Sequence, residues 1–235
     1  MKFAIIAAGE GSRLAQEGVK LPKPLVKVNG KAMIDRLVEL FVENGAKEIV
    51  IIVNNETQQV QEHVRNLQSR FPIRLVVQST PSSMHSLYAI SPYLKGDSFC
   101  LTTVDTIFRP EEFSEYIRSF QKEQADGMMA VTDFIDDEKP LYVSTDENLY
   151  ISGFHDSMPS NCKYISGGIY CLPSKALDVL EDCIHKDMSR MRNFQRQLVA
   201  DGLILKAYPF SKILDVDHAE DILKAEAFLK EGDGK

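Results

Sequence analysis

Two glycines, an arginine and a lysine between residues 7 and 25 carry the clearest chemistry in the sequence, within AAGEGSRLAQEGVKLPKPL. Gly9 and Gly11 allow a turn whose backbone amides approach a bound anion closely, because no Cβ stands in the way. Arg13 supplies a guanidinium that can grip a phosphate through two parallel bonds, and Lys23 supplies a point charge. Pro22 and Pro24 restrict the backbone on either side of Lys23, which predicts a stiff, extended segment presenting the ammonium. Together these residues suit a polyphosphate of triphosphate size. A second candidate is Asp105, in Leu101-Thr-Thr-Val-Asp105. A carboxylate at the carboxyl end of a buried strand sits where ligands bind in open sheets, and it is a natural ligand for Mg2+.

These residue types also serve other sites. A dinucleotide-binding fingerprint needs a third glycine at position 14, where Leu14 stands, and a P-loop needs four residues between its glycines and then Lys-Ser/Thr. The plain alternative is a tight strand-to-helix turn with a surface arginine. For Asp105 it is an aspartate capping the next turn.

The elements that must position these groups alternate. Lys2 to Ala7 is an apolar run of strand length directly before the glycine turn. Met33, Leu37, Leu40 and Phe41 lie at helical spacing, and Gly45 ends that helix. Glu48 to Val53 reads as a strand covered on both faces, Val60 to Phe71 as a helix and Ile73 to Val77 as a third strand. Ser83 to Leu94 predicts a helix, Ser98 to Val104 a strand and Pro110 to Lys122 a helix. Such alternation implies a doubly wound α/β sheet with ligands at the carboxyl ends of its strands. From Gly127 the pattern changes to short strands at Met128 to Thr132, Leu141 to Ser144, Leu149 to Phe154 and Tyr164 to Cys171, expected to extend the sheet antiparallel. Helices near Ser174 to His185 and Ser189 to Ala200, a strand at Leu203 to Tyr208 and a helix from His218 to Lys230 follow. No linker, repeat or low-complexity stretch interrupts residues 1–235, so one domain is expected, with a nucleotide-binding half to about 125 and an acceptor-binding half from about 126. The final Glu-Gly-Asp-Gly-Lys is expected to fray.

Composition narrows the function class. The net charge of −7 argues against a nucleic-acid surface, yet residues 10 to 31 hold five Lys/Arg against two acids. A small basic mouth in an acidic chain suits a small anionic substrate. No apolar run approaches a membrane span, and the N-terminus enters a strand with no signal-peptide pattern. The four cysteines show no metal-ligand spacing and read as reduced structural thiols, which points to the cytoplasm. The five histidines are scattered, and no Ser, His and Asp arrangement suggests a hydrolase.

AAGEGSRL followed by LPKPLVKVNGKAMI resembles the signature of the sugar-nucleotide nucleotidyltransferases, the nucleoside-diphosphate-sugar pyrophosphorylases, roughly GGxGxRLxPLTxxxPKPLxxxxGKPxI. Gly9, Gly11, Arg13, Leu14, Pro22, Lys23, Pro24, Leu25, Gly30, Lys31 and Ile34 fall in matching places, and Ala8 replaces the first glycine. The resemblance implies a Rossmann-like nucleotidyltransferase fold with a mixed, mostly parallel sheet flanked by helices. It implies Mg2+ as cofactor, a nucleoside triphosphate and a phosphorylated small molecule as partners, and transfer of NMP with release of pyrophosphate. Residues Ala7, Ala8, Gly9, Gly11, Ser12 and Arg13 would bind the nucleotide, with Arg13 and Lys23 as the catalytic cations. The family places Gly-Asp at Val104-Asp105, with the aspartate on the metal. Ile213-Leu-Asp215-Val-Asp217-His-Ala-Glu-Asp221 resembles its closing D-x-D-T-P-E-D segment. Asp215 and Asp217 would leave a strand on one face, and either could complete the metal site with Asp105. For one of the two, a helix-capping role before His218 is the alternative.

Recognition of base and acceptor stays open. Gln78 stands where the family reads a pyrimidine edge, implying UTP or CTP, but Ser83-Met-His-Ser-Leu-Tyr88 is more similar to the phosphocholine cytidylyltransferase branch. Ser83 and Ser86 are candidate contacts there. Gly153-Phe-His-Asp-Ser-Met-Pro lacks the E-K-P triplet of sugar-phosphate enzymes, whereas Ile165-Ser-Gly-Gly-Ile-Tyr170 resembles the NAGIY strand whose backbone, at Gly167 and Gly168, would face a sugar. The expected activity is nucleotidyl transfer to a sugar 1-phosphate. The alternatives are a small phosphomonoester such as phosphocholine as acceptor, a non-catalytic nucleotide or sugar-phosphate sensor, and a dinucleotide-dependent oxidoreductase, which Leu14 disfavours. The sequence leaves the oligomeric state open; without the C-terminal extension of some relatives, any self-association is expected to use the core domain.

Overall fold

The computed structural model describes residues 1–136 and 138–231. Strand β1 (Lys2–Ala7) runs into the short helix α1 (Ser12–Gln16), a 3-10 turn at Lys23–Leu25 and a small hairpin of β2 (Lys27–Val28) and β3 (Lys31–Ala32). Then come α2 (Met33–Glu43), β4 (Ile49–Val53), α3 (Gln58–Gln68), β5 (Ile73–Val77), α4 (Ser83–Leu94), β6 (Phe99–Thr103), β7 (Thr106–Ile107) and α5 (Pro110–Lys122). The second half holds β8 (Gly127–Thr132), β9 (Tyr142–Thr145), β10 (Ile151–His155), β11 (Tyr164–Leu172), α6 (Ala176–His185), α7 (Met191–Ala200), β12 (Leu205–Phe210), β13 (Leu214–Asp215) and α8 (Ala219–Lys230).

The central sheet is mixed and mostly parallel, flanked by helices, in the order β10-β9-β11-β6-β1-β4-β5, with β8 and β12 joined through β11. Strands β6, β1, β4 and β5 are parallel; β11 enters antiparallel to β6 and carries β8 and β9 antiparallel. The expected antiparallel extension is therefore present, with one departure: β12 pairs with β8 in parallel. From β1 the chain steps outward to β4 and β5, then returns to place β6 on the other side of β1. That reversal makes the β1/β6 gap the switch point where open sheets bind ligands.

Burial on both faces explains the unbroken apolar strands. Phe3, Ile5 and Ala7 of β1 pack with Phe41, Val64 and Tyr116 from α2, α3 and α5 on one face, while Ala4 and Ile6 pack with Leu87, Leu180 and Phe194 from α4, α6 and α7 on the other. A third cluster ties the loop region to the C-terminus: Leu14 of α1, Val26, Val28 and Met33 pack with Ile107, Leu214, Val216 and Phe228. In α4, Pro92 cannot donate to the Tyr88 carbonyl, and the Ser91 hydroxyl donates there instead at 2.9 Å.

One expectation needs correction. Lys23 lies in a tight 3-10 turn, not an extended segment; the N–H of Leu25 donates to the Pro22 carbonyl and that of Val26 to the Lys23 carbonyl. Pro24 tolerates the turn because its position needs no amide proton. The short elements α1, β2, β3 and β7 carry no periodic signal, whereas β13 is the strand expected at Asp215, ending before Asp217. The expected terminal fraying lies, from residue 232 on, outside the described residues. All four cysteines are buried and free.

Tyr116 shows how the two halves are joined. Its buried hydroxyl donates to the Met128 carbonyl at 2.6 Å and accepts from the Cys171 N–H at 2.9 Å, bridging β8 and β11 from α5. Tyr116→Phe strands both backbone groups in the core, a loss of about 1–3 kcal/mol. Thermal denaturation should show a melting point several degrees lower; an unchanged midpoint would mean that the bridge is dispensable.

Candidate functional site

The site forms where β1 and β6 end. Gly11 adopts φ 62 and ψ 31 just before α1, and a Cβ there would come within 2.8 Å of the Lys23 Cβ. Glycine is therefore required twice, for the left-handed backbone and for the approach of the Lys23 turn. A Cβ on Gly9 would meet nothing, so that residue looks onto open space. Ala7 ends β1 with its methyl in the core, beneath the loop.

The packing of the turn against the C-terminal segment brings four charged side chains together. The Lys23 ammonium donates to Asp105 Oδ2 at 2.6 Å and to Asp217 Oδ1 at 2.6 Å, and Arg13 Nη1 donates to Asp217 Oδ2 at 3.1 Å. Burial works against the charge on Lys23, but Asp105 and then Asp217 outweigh it and raise its pKa. Asp105 does not cap a turn: its Oδ1 is buried with no hydrogen-bond partner, while its backbone carbonyl accepts from the Val216 N–H at 3.1 Å. Nor does Asp217 cap α8. Asp221 does so, accepting from the N–H groups of Asp217 at 3.1 Å and His218 at 2.8 Å. Glu17, just past α1, accepts from the Ala219 N–H and pairs with His218 Nδ1, both at 2.6 Å, and this raises the His218 pKa.

Two cavities meet at this cluster. One, of about 480 Å³, is lined by residues 8–13, Lys23, Thr80 to Ser83, Ser86, residues 103–105 and Asp217. The other, of about 390 Å³, is lined from β11 by Ile165, Ser166 and Gly167, from the C-terminal segment by Asp215, Asp217, Asp221 and Lys224, and from the wall by Phe134, Asp136 and Arg192. Arg13 and Asp217 line both. The same-face expectation for Asp215 and Asp217 thus holds only on the second side, since β13 stops at Asp215 and Asp217 alone turns back to the first cavity.

Crowding by protein, the Asp105 carboxylate and then Asp217 push the Asp215 pKa up to about 8, with Lys23 opposing and solvent in the open cleft moderating the effect. Oxygen donors of this kind fit a small divalent cation, and the partnerless Oδ1 of Asp105 is the free lone-pair position such an ion needs. Three acids do not converge on one point among the described residues; the ammonium of Lys23 sits between two of them.

Other sequence candidates are placed unevenly. Ser12, Ser83 and Ser86 line the first cavity. Gln78 does not; it is exposed beyond β5, its N–H donating to the Val53 carbonyl. Thr80, Ser82 and Thr103 line that cavity instead, and nothing in their sequence context sets them apart. Gly167 borders the second cavity, but a Cβ there would overlap Ile213 Cδ1 and press on the Ala130 carbonyl, so close strand packing accounts for the glycine. Gly168, at φ 73, faces Thr106 and Thr103 and lines neither cavity. Asp136, Arg192 and Lys224 were missed, being isolated charges on surface-like segments.

The family model described as nucleotidyl transferase matches residues 2–232. The chain belongs to the nucleotidyl transferase family. Among its relatives, the UTP–glucose-1-phosphate uridylyltransferase AglF of Haloferax volcanii is 25% identical over 143 residues, 60% of this chain and 58% of that protein. The choline-phosphate cytidylyltransferase of Streptococcus pneumoniae is 33% identical over 90 residues, 38% of each. The solved inositol-1-phosphate CTP transferase from T. maritima superposes with a TM-score of 0.81 at 20% identity, covering 98% of this chain and 96% of that one, which shows a shared fold. The chain spans about half the length of the first curated relatives it matches. Among the described residues no helix is long and apolar enough to cross a membrane.

The state of Asp215 predicts a stability profile in the absence of divalent ions. The raised pKa of Asp215 lets the folded protein hold its proton at pH values where the unfolded chain has released it, so stability falls as pH rises through that range. Asp215→Asn should flatten that slope and be the more stable protein at pH 7, as read by denaturant titration. Parallel profiles for the two proteins would contradict the perturbed carboxylate.

Proposed function

We propose that the chain is a Mg2+-dependent nucleotidyltransferase. It moves NMP from a nucleoside triphosphate, UTP or CTP, to the phosphate of a sugar 1-phosphate and releases pyrophosphate. The observation that carries this reading is the meeting of Arg13, Lys23, Asp105 and Asp217 at the junction of two cavities. A transfer reaction needs that arrangement: one pocket for the donor, one for the acceptor, and fixed charge where phosphorus changes hands. The division of labour falls near residue 125, with the glycine loop and α4 serving the nucleotide and β11, β13 and α8 serving the acceptor.

Arg13 is suited to hold the departing pyrophosphate, because a guanidinium can span two phosphate oxygens. Lys23, on its proline-bounded turn, steadies the α-phosphate and the incoming acceptor phosphate. Asp105 and Asp217 would hold Mg2+, with Asp215 beside them. The bound ion supplies neutralisation of charge on the phosphates. The acceptor phosphate is itself a nucleophile as a dianion, so no side chain need act as nucleophile or base. The protein's contribution is alignment and charge stabilisation.

A second reading, transfer to an amine-bearing phosphomonoester such as phosphocholine, is favoured by the wall of the second cavity. Asp136, Glu138, Asp215, Asp217, Glu220 and Asp221 outnumber Arg13, Lys139, Arg192 and Lys224 around that cavity, beside the aromatic ring of Phe134. Such a wall suits a cation better than a neutral sugar. The similarity to the choline-phosphate enzyme points the same way.

The test is pyrophosphate release with Mg2+, crossing five nucleoside triphosphates with a panel of sugar 1-phosphates and phosphocholine. One productive pair is expected, chelation should abolish it, and Lys23→Ala and Asp105→Ala should each lower turnover at least ~100-fold. Near wild-type rates in both folded variants would sink the site assignment. Silence across the panel with triphosphate binding intact would favour a nucleotide sensor.

A further inference from the structure

Lys23 holds two oxygens that the proposed reaction assigns to a metal. Its ammonium lies 2.6 Å from both Asp105 Oδ2 and Asp217 Oδ1, on a side chain only 10% exposed, and it is the group that joins these carboxylates. Mg2+ binds oxygen at about 2.0–2.1 Å in a near-octahedral shell and tolerates little distortion. A bulky ammonium between two carboxylates leaves no room for such a shell on both. Its positive charge also lowers the local attraction for a second cation. Asp105 Oδ1 is the one oxygen of the pair buried and still without a partner. The backbone beneath Lys23 is fixed by Pro22, Pro24 and the 3-10 turn, so the movable part is its four-carbon stem.

We infer that Lys23 acts as an internal placeholder for the metal: the divalent-cation site on Asp105 and Asp217 forms only when a triphosphate draws the ammonium away. This rests on the reading of those aspartates as metal ligands and adds the order of events. A triphosphate over the glycine loop presents several negative charges to Lys23, Arg13 already being at the same cavity. Moving the ammonium onto phosphate frees Asp105 Oδ2 and Asp217 Oδ1 at the moment the nucleotide brings in its own cation, and Arg13, which holds Asp217 Oδ2, is drawn by the same phosphates. Linkage then requires the converse: metal and nucleotide each tighten the binding of the other by the same factor. In the free protein the ammonium, with Arg13 on Asp217, balances the two carboxylates, so the empty site neither repels its own loop nor collects stray cations.

The measurement is Mn2+ binding by electron paramagnetic resonance, without any reaction. Free wild-type protein should bind Mn2+ weakly, and Lys23→Met should bind it at least ~10-fold more tightly, within the usual range of coupling between sites. Adding Asp105→Asn to Lys23→Met should remove the gain. If the single variant does not fold, the wild-type protein carries the test by itself. The α,β-methylene analogue of CTP or UTP, whichever binds by calorimetry, should raise Mn2+ affinity at least ~10-fold beyond what the analogue holds in protein-free solution. Equal Mn2+ affinity in wild type and Lys23→Met, or an analogue that binds without changing Mn2+ affinity, overturns the placeholder. If Asp105→Asn and Asp217→Asn leave Mn2+ binding unchanged with and without the analogue, the metal assignment itself falls, a separate failure.

Discussion

The contact on which the rest depends is the ammonium of Lys23 between Asp105 and Asp217. Each partner belongs to a different part of the chain: the proline turn after β1, the end of β6 and the segment entering α8. An ion triad at this depth keeps its charge only if the groups arrive together, because a lone carboxylate or ammonium there bears the desolvation cost unaided. The apolar cluster of Leu14, Val28, Ile107, Leu214 and Phe228 brings them together. Hydrophobic packing of the short elements thus sets up the electrostatics, and the electrostatics hold the glycine loop.

The sheet explains why this happens at one place. Strands β1 and β6 are neighbours in the sheet but far apart in sequence, and the chain leaves them in opposite directions. Loops that diverge at such a point leave a crevice between them. Strand β11 then crosses from β6 to β8 and β9 and opens a second hollow on the far side of the same loops. Arg13 and Asp217 stand on the ridge between the two.

Charge is distributed accordingly. The molecule carries net charge −7, with cations gathered around the loop and carboxylates along the second hollow. Lys224 lies within ion-pairing distance of Asp136, Glu220 and Asp221, so much of that negative wall is internally compensated. What a ligand meets is a balance set by side chains from β8, β13 and α8 together.

Sequence alone determined the strands buried on both faces, the long helices and the glycine loop, because those depend on local periodicity and on residues with restricted or permissive backbones. Helix α4 from Ser83 to Leu94 and helix α5 from Pro110 to Lys122 begin and end where their patterns do. Arg13, Lys23, Asp105 and Asp217 also stood out in the sequence as candidates for phosphate and metal chemistry, and their convergence is what the fold adds. Tertiary structure decided the rest. Gln78 stands exposed after the edge strand β5 and lines neither cavity, and Gly167 is glycine because Ile213 packs against it. Asp221, not Asp217, caps the last helix, since Lys23 and Arg13 have already claimed the latter. Two-residue strands and isolated wall charges leave no periodic trace in a sequence. The pairing of β13 with β7 and the placing of the wall charges follow only from contacts between segments far apart in the chain.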